Sequence, residues 1–197
     1  MIKITLPDGS GREYNSSVTA LKVAEDISPE LAEEAICAEV NNKPVDLNYP
    51  IDTDSTVVIH TFKNDKGKEV YWHSTAHLMA QAVKQLFPDV KIAIGPAIEQ
   101  GFYYDFDRDE PFTEEDLQKI ETRMKELSAK ALPYYRTELS KAEAIELFSK
   151  MDETYKLELL EDIPENEIIS SYRQGDFIDL CRGPHLPDTG KIKAIKL

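Results

Sequence analysis

Ile2, Ile4 and Leu6 alternate with polar neighbours and run straight into Pro7-Asp8-Gly9. That opening constrains the fold more than any other feature, because a period of two followed by a tight turn demands a strand folding back on itself. Residues around Glu13-Tyr14 supply the returning strand. Apolar Leu21, Val23, Ala24 and Ile27 then recur at helical spacing and predict a short helix over residues 19–27. Further strands fit residues 36–40 and 56–62, with Asn41-Asn42 as the turn signal after the first. Hairpin, helix and further strands describe a small α+β grasp-like fold over residues 1–62.

Residues 63–68, KNDKGK, are polar, contain a glycine and read as a linker or domain boundary. Helical spacing follows from residue 69 to Phe87, and Pro88 stops it. Thr113 with Asp116, and Ser140 with Glu143, have the form of capping boxes, opening helices that reach about Lys130 and Lys150. Strands fit residues 91–94, 101–106, 134–139, 168–173 and 177–180, the last two joined by a turn at Gln174-Gly175. The closing KIKAIKL alternates and reads as a final strand. Residues 63–197 therefore predict a larger α+β domain with a mainly antiparallel sheet and flanking helices.

Composition narrows the function class. The chain of 197 residues is 41% hydrophobic and 30% charged, as expected of a soluble globular protein. No apolar run approaches the roughly 20 residues that span a bilayer, and the N-terminus lacks the pattern of a signal peptide. Cys37 and Cys181 form no CxxC pair, which suits a reducing cytoplasm. A net charge of −14 argues against a general nucleic-acid coat protein, since such proteins neutralise phosphates with a basic face. Local recognition of an RNA end stays compatible with it.

The segment YWHSTAHLMA, residues 71–80, carries the first candidate chemistry. His73 and His77 lie about 40° apart around a helix, with Cβ atoms roughly 5–6 Å apart. CRGPH, residues 181–185, adds Cys181 and His185 around a tight turn. One sulfur and three imidazoles form a set that zinc accepts. The same groups can line a metal-free hydrolytic pocket, or activate Cys181 as a nucleophile. Asp179 precedes Cys181 by two residues and shares its strand face. Lys156 falls in a further helix after Tyr155, where an ordinary lysine is solvated. GPAIEQGFYYDF, residues 95–106, is either a core strand with a turn or a pocket wall on which a base stacks. His60 and Cys37, in the strands of the first domain, are assigned to packing.

HSTAHLMAQAVKQLFPDVKIAIGPAIEQGFYYDF, followed by FIDLCRGPH, resembles the N-terminal half of bacterial-type threonyl-tRNA synthetases. Residues 1–62 resemble that family's ubiquitin-like TGS domain, and residues 63–197 its editing domain. The editing domains of alanyl-tRNA synthetases share the histidine and cysteine scheme. The resemblance implies hydrolysis of serine wrongly esterified to threonine tRNA. One missing methyl gives only about 1–3 kcal/mol of discrimination, so a synthetic pocket sized for threonine admits serine and a second site must remove it. Carried over by position, His73, His77, Cys181 and His185 match editing-site residues, and Lys156 matches a lysine that places or activates water with His73. Asp179 matches the carboxylate beside the cysteine, while Tyr104, Gly95 and Pro96 fall in the substrate-binding segment.

The same resemblance implies a metal-free reaction needing no cofactor in this part of the protein. ATP, Mg2+ and a zinc ion would belong to an aminoacylation core that these residues lack. The implied partners are the acceptor end of tRNA(Thr) carrying serine and that core, with no membrane, and the full-length protein is implied to be a cytoplasmic homodimer. Two rivals remain: a zinc-dependent hydrolase of the alanyl type, and a non-catalytic module that binds a tRNA acceptor end.

Overall fold

The computed structural model describes residues 1–98 and 101–197. It divides into two compact units, Met1–Tyr71 with Gly183–Pro187, and Trp72–Arg182 with Asp188–Leu197. Among the described residues no helix is long and apolar enough to cross a membrane.

In the first unit, β1 (Ile2–Thr5) pairs antiparallel with β2 (Gly11–Tyr14), as the opening alternation predicts. A short pairing of β3 (Val18–Thr19) precedes helix α1 (Ala20–Ile27), whose N-terminus is capped by the Thr19 side chain accepting from the Lys22 amide. Helix α2 (Pro29–Glu34) follows at once; Ser28 caps it and Pro29 fills its first turn, where a missing N–H is harmless. The sequence reading had no helix there. β4 (Ala35–Val40), β5 (Lys43–Val45), β6 (Pro50–Ile51) and β7 (Ser55–Thr61) complete the unit, with β3 against β6 and a five-stranded sheet in the order β2-β1-β7-β4-β5. Only the β1–β7 pairing within that sheet is parallel. Asn41 and Asn42 turn β4 into β5 at φ of 51° and 64°, a conformation that asparagine tolerates better than most residues. Ile4, Val23, Ala24, Ala38 and Val57 are sealed between helix and sheet, giving the expected β-grasp arrangement.

Helix α3 (Asp65–Leu86) starts four residues before the expected position. The KNDKGK segment is therefore largely helix rather than linker: Asn64 Oδ1 accepts the Gly67 amide at 2.9 Å and closes the first turn. A Cβ on Gly67 would lie 2.0 Å from the Thr61 carbonyl oxygen, so the glycine allows the strand and helix backbones to meet.

In the second unit, β8 (Lys91–Ile92) pairs with β11 (Phe106–Asp107), and β9 (Ala97–Ile98) with β10 (Gly101–Phe102). The two expected strands over 91–94 and 101–106 are thus shorter and broken; residues 103–105 fall outside any strand, although the Asp105 amide donates to the Ile94 carbonyl at 2.8 Å. Helices α4 (Glu114–Ala129) and α5 (Lys141–Lys150) both open on the capping boxes read from sequence. β12 (Tyr134–Leu139), β13 (Ile169–Gln174) and β14 (Phe177–Leu180) form an antiparallel sheet in that order. Helix α6 (Thr154–Glu161) packs with α5 through Ala144, Phe148 and Leu160 onto Ile169 of β13.

KIKAIKL is not a strand. After a 3-10 turn at Thr189–Lys191, residues 192–197 form no strand pairing among the described residues. Ile192 is buried, its carbonyl accepts from Ser128 Oγ at 2.7 Å, and Lys196 Nζ donates to Glu121 at 3.1 Å. Ile195 and Leu197 are half-buried and Ala194 is exposed, so the alternation does not map onto one buried face.

Candidate functional site

The second unit collects its chemistry from helix α3, strand β14, helix α6 and the segment between β8 and β11. His73 and His77, one turn apart on α3, present imidazoles whose centroids are 4.8 Å apart and whose planes meet at 71°. Helix α3 is held to the sheet from behind: Tyr134 OH donates to the Ser74 carbonyl at 2.9 Å, and the Gln81 and Gln174 side chains bond at 3.1 Å. His73 Nε2 lies 2.9 Å from Cys181 Sγ and its Nδ1 lies 3.4 Å from the Gly95 carbonyl oxygen. His73 and Cys181 keep partial exposure, whereas His77 is 3% exposed.

Below this pair lies a charged network closed to water. Asp179 and Lys156 are 1% and 2% exposed and form an ion pair of 2.7 Å through Oδ1 and Nζ. Tyr104 OH donates to Asp179 Oδ2 at 2.5 Å, and Lys156 Nζ donates to the Tyr104 oxygen at 3.1 Å and to the Ala93 carbonyl. The three N–H bonds of the ammonium therefore have three acceptors. The Leu180 amide adds a further donor to Asp179 Oδ1 at 2.8 Å. Charges this deep survive only when so matched. His77 Nε2 stands 3.7 Å from Asp179 Oδ2.

Burial, then the neighbouring His73 and Lys156 charges, hold the His77 imidazolium well below the ordinary histidine range, so His77 is neutral near pH 7. Burial and the Asp179 carboxylate push the Tyr104 phenol well above its usual value and keep it a donor. Gly95 is needed where it stands: a Cβ there would lie 2.1 Å from the Tyr104 ring. The Tyr104 ring stacks on Phe106 at 5.1 Å. Pro96 is half-buried beside Gly95, and Glu99 and Gln100 of the GPAIEQGFYYDF stretch lie outside the described residues.

His185 is buried at 1% exposure and groups with the first unit, where its backbone amide donates to Asp46 Oδ1 at 2.8 Å. Two residues of the second unit were missed in sequence: Lys84, on the same helix as the histidines, and Glu153, paired with it at 2.9 Å. Neither stands in a recognisable motif.

The donor set admits a metal test. The ligand atoms of His73, His77 and Cys181 lie within 4.8 Å of one another. Zinc bonds of about 2.3 Å to sulfur and about 2.0–2.1 Å to nitrogen place tetrahedral ligands roughly 3.6 Å apart. The 2.9 Å between His73 and Cys181 is a hydrogen-bonding distance, and this pair would have to open to admit zinc.

Residues 2–61 match the TGS domain, and residues 169–197 match the threonyl and alanyl tRNA synthetase second additional domain. All 197 residues align with the threonine–tRNA ligase of Desulforamulus reducens at 55% identity, covering 31% of that protein. The corresponding proteins of Acetivibrio thermocellus and Clostridioides difficile share 53% and 50% over the same span and fraction. The chain spans about a third of the length of the curated relatives it matches. The two domain matches, with all of this chain aligned to about a third of each ligase, are consistent with an N-terminal fragment of a threonyl-tRNA synthetase.

Proposed function

We propose that the second unit hydrolyses seryl-tRNA(Thr) without a metal ion. The observation that carries the reading is the half-exposed His73–Cys181 pair set directly above a neutral His77 and the buried Lys156–Asp179–Tyr104 network. The ester carbonyl of the misplaced serine would be attacked by water, with the ribose oxygen leaving. With Nδ1 turned to Gly95, His73 Nε2 is the basic nitrogen, and the Cys181 thiol marks the position a water would take. Lys156 has no spare N–H in this arrangement, so it acts first as a fixed positive charge that favours the developing oxyanion. Asp179 and Tyr104 hold that charge in place. No covalent intermediate on Cys181 is required.

The whole protein would ligate threonine to tRNA(Thr) in the cytoplasm with ATP and Mg2+. In this reading its zinc ion and dimer contacts belong to the part beyond this chain, and the acceptor end of tRNA(Thr) reaches both centres. The proximity of His73, His77 and Cys181 favours a second reading, a zinc-dependent hydrolase. Single-turnover deacylation of seryl- and threonyl-tRNA(Thr), with and without chelator, separates the readings. The expected result is seryl-selective, chelator-insensitive cleavage that falls at least ~100-fold in His73→Ala and in Lys156→Ala. Full activity in both variants removes these residues from the mechanism, and loss on chelation replaces it with zinc.

A further inference from the structure

Glu153 is a carboxylate buried to 1% exposure, and the editing chemistry described above does not use it. Its Oε1 takes an ion pair from Lys84 at 2.9 Å, while Oε2 has no hydrogen-bond partner among the described residues. A half-matched buried carboxylate is expensive to keep, so its placement invites a functional explanation.

That placement is specific. Glu153 is the residue from which α6 starts, and its carbonyl accepts the amide of Lys156 at 3.1 Å. Its partner Lys84 lies eleven residues after His73 on α3, within about 20° around the helix and roughly 16 Å along it. One face of α3 thus presents His73 and His77 to Cys181 and Asp179, and Lys84 to Glu153. Lys84 Nζ is itself anchored to the Val90 carbonyl at 3.0 Å, which fixes the cation. The Glu153 charge is also among those that raise the Tyr104 phenol.

We propose that the Lys84–Glu153 pair is a positioning brace between the histidine helix and the lysine helix, setting the distance between His73 and the Lys156 ammonium. The proposal rests on the editing reading. Misplacement of a catalytic group by about 1 Å can cost 100-fold in rate, so a brace shows itself in kcat before it shows in folding.

Seryl-tRNA(Thr) deacylation and thermal unfolding of the full chain test it together. Glu153→Gln keeps the shape and removes the charge, and Lys84→Met removes the partner. Each is expected to lower kcat ~10-fold while leaving KM within about twofold, with the double variant no worse than either single. Lys84→Arg restores the charge and is expected to recover most of the rate. Glu115→Gln, which breaks an exposed ion pair with Lys119, is the neutral control. Unchanged kcat, a loss confined to KM, additive losses, or a rate that merely follows the unfolding temperature would overturn the brace. An inactive wild-type chain would bring down the editing reading and the brace together, whereas an active chain indifferent to the pair sinks the brace alone.

Discussion

Each unit holds a histidine beside a carboxylate, and the two are built differently. In the first, His60 Nε2 meets Glu39 Oε2 at 3.0 Å across the sheet, and the exposed Lys66 closes on the other carboxylate oxygen. In the second, His77 stands 3.7 Å from Asp179, whose oxygens already serve Lys156, Tyr104 and the Leu180 amide. The first pair is finished by one flexible side chain at the boundary with water. The second belongs to a matched set that water does not reach. The interior of the first unit is apolar, with Ile4, Val23 and Val57 at its centre, while the second buries Gln81, Lys156 and Asp179. The first core leaves its charge at the edge; the second brings charge inside and matches the Lys156 ammonium with three acceptors.

The largest expected effect breaks that contrast directly. Asp179→Ala strands the Lys156 ammonium and is expected to cost about 3–5 kcal/mol of stability. Glu39→Ala, which removes the partner of His60, is expected to cost about 1 kcal/mol. Urea unfolding of the two variants gives the comparison, and equal losses would erase the distinction between the networks.

A smaller effect sharpens it. Gly95→Ala pushes a methyl into the Tyr104 ring and is expected to cost about 1–3 kcal/mol by overpacking. Seryl-tRNA hydrolysis should fall with it, because the same backbone carries the carbonyl facing His73.

The smallest appears only in acid. An unfolded histidine takes up its proton below about 6.5, and buried His77 resists it, so the unfolded state binds more protons there. The His77 contribution is complete above that pH and is lost as the pH falls toward the depressed folded value. The difference between wild-type and His77→Gln stability, followed from pH 7 downward, should narrow below about pH 6.5. A constant difference would mean that His77 titrates in the fold as it does in the unfolded chain.

Much of the frame was legible because it rests on short-range signals. Thr113 with Asp116 and Ser140 with Glu143 cap their helices as read, and Asn41-Asn42 turns where two left-handed residues are needed. KIKAIKL misled because its alternation corresponds to neither a ladder nor a single buried face: Ile192 is buried while Ala194 is exposed. Helix α2 was missed since its six residues are too few for a periodic signal, although Ser28-Pro29 is a start signal in itself. At the site, His73, His77 and Cys181 announced themselves by residue type. Lys84 and Glu153 did not, because a lysine and a glutamate 69 positions apart become informative only when folding buries them against each other.

The three acceptors around Lys156 have a consequence for substitution. An arginine brings five N–H groups where three fit, and a methionine leaves Asp179 and Tyr104 facing an apolar stem. Tyr104→Phe removes an acceptor from the ammonium and a donor from the acid in one stroke. Amine, acid and phenol therefore form one unit of substitution: replacing any one of them leaves the other two with unmatched groups.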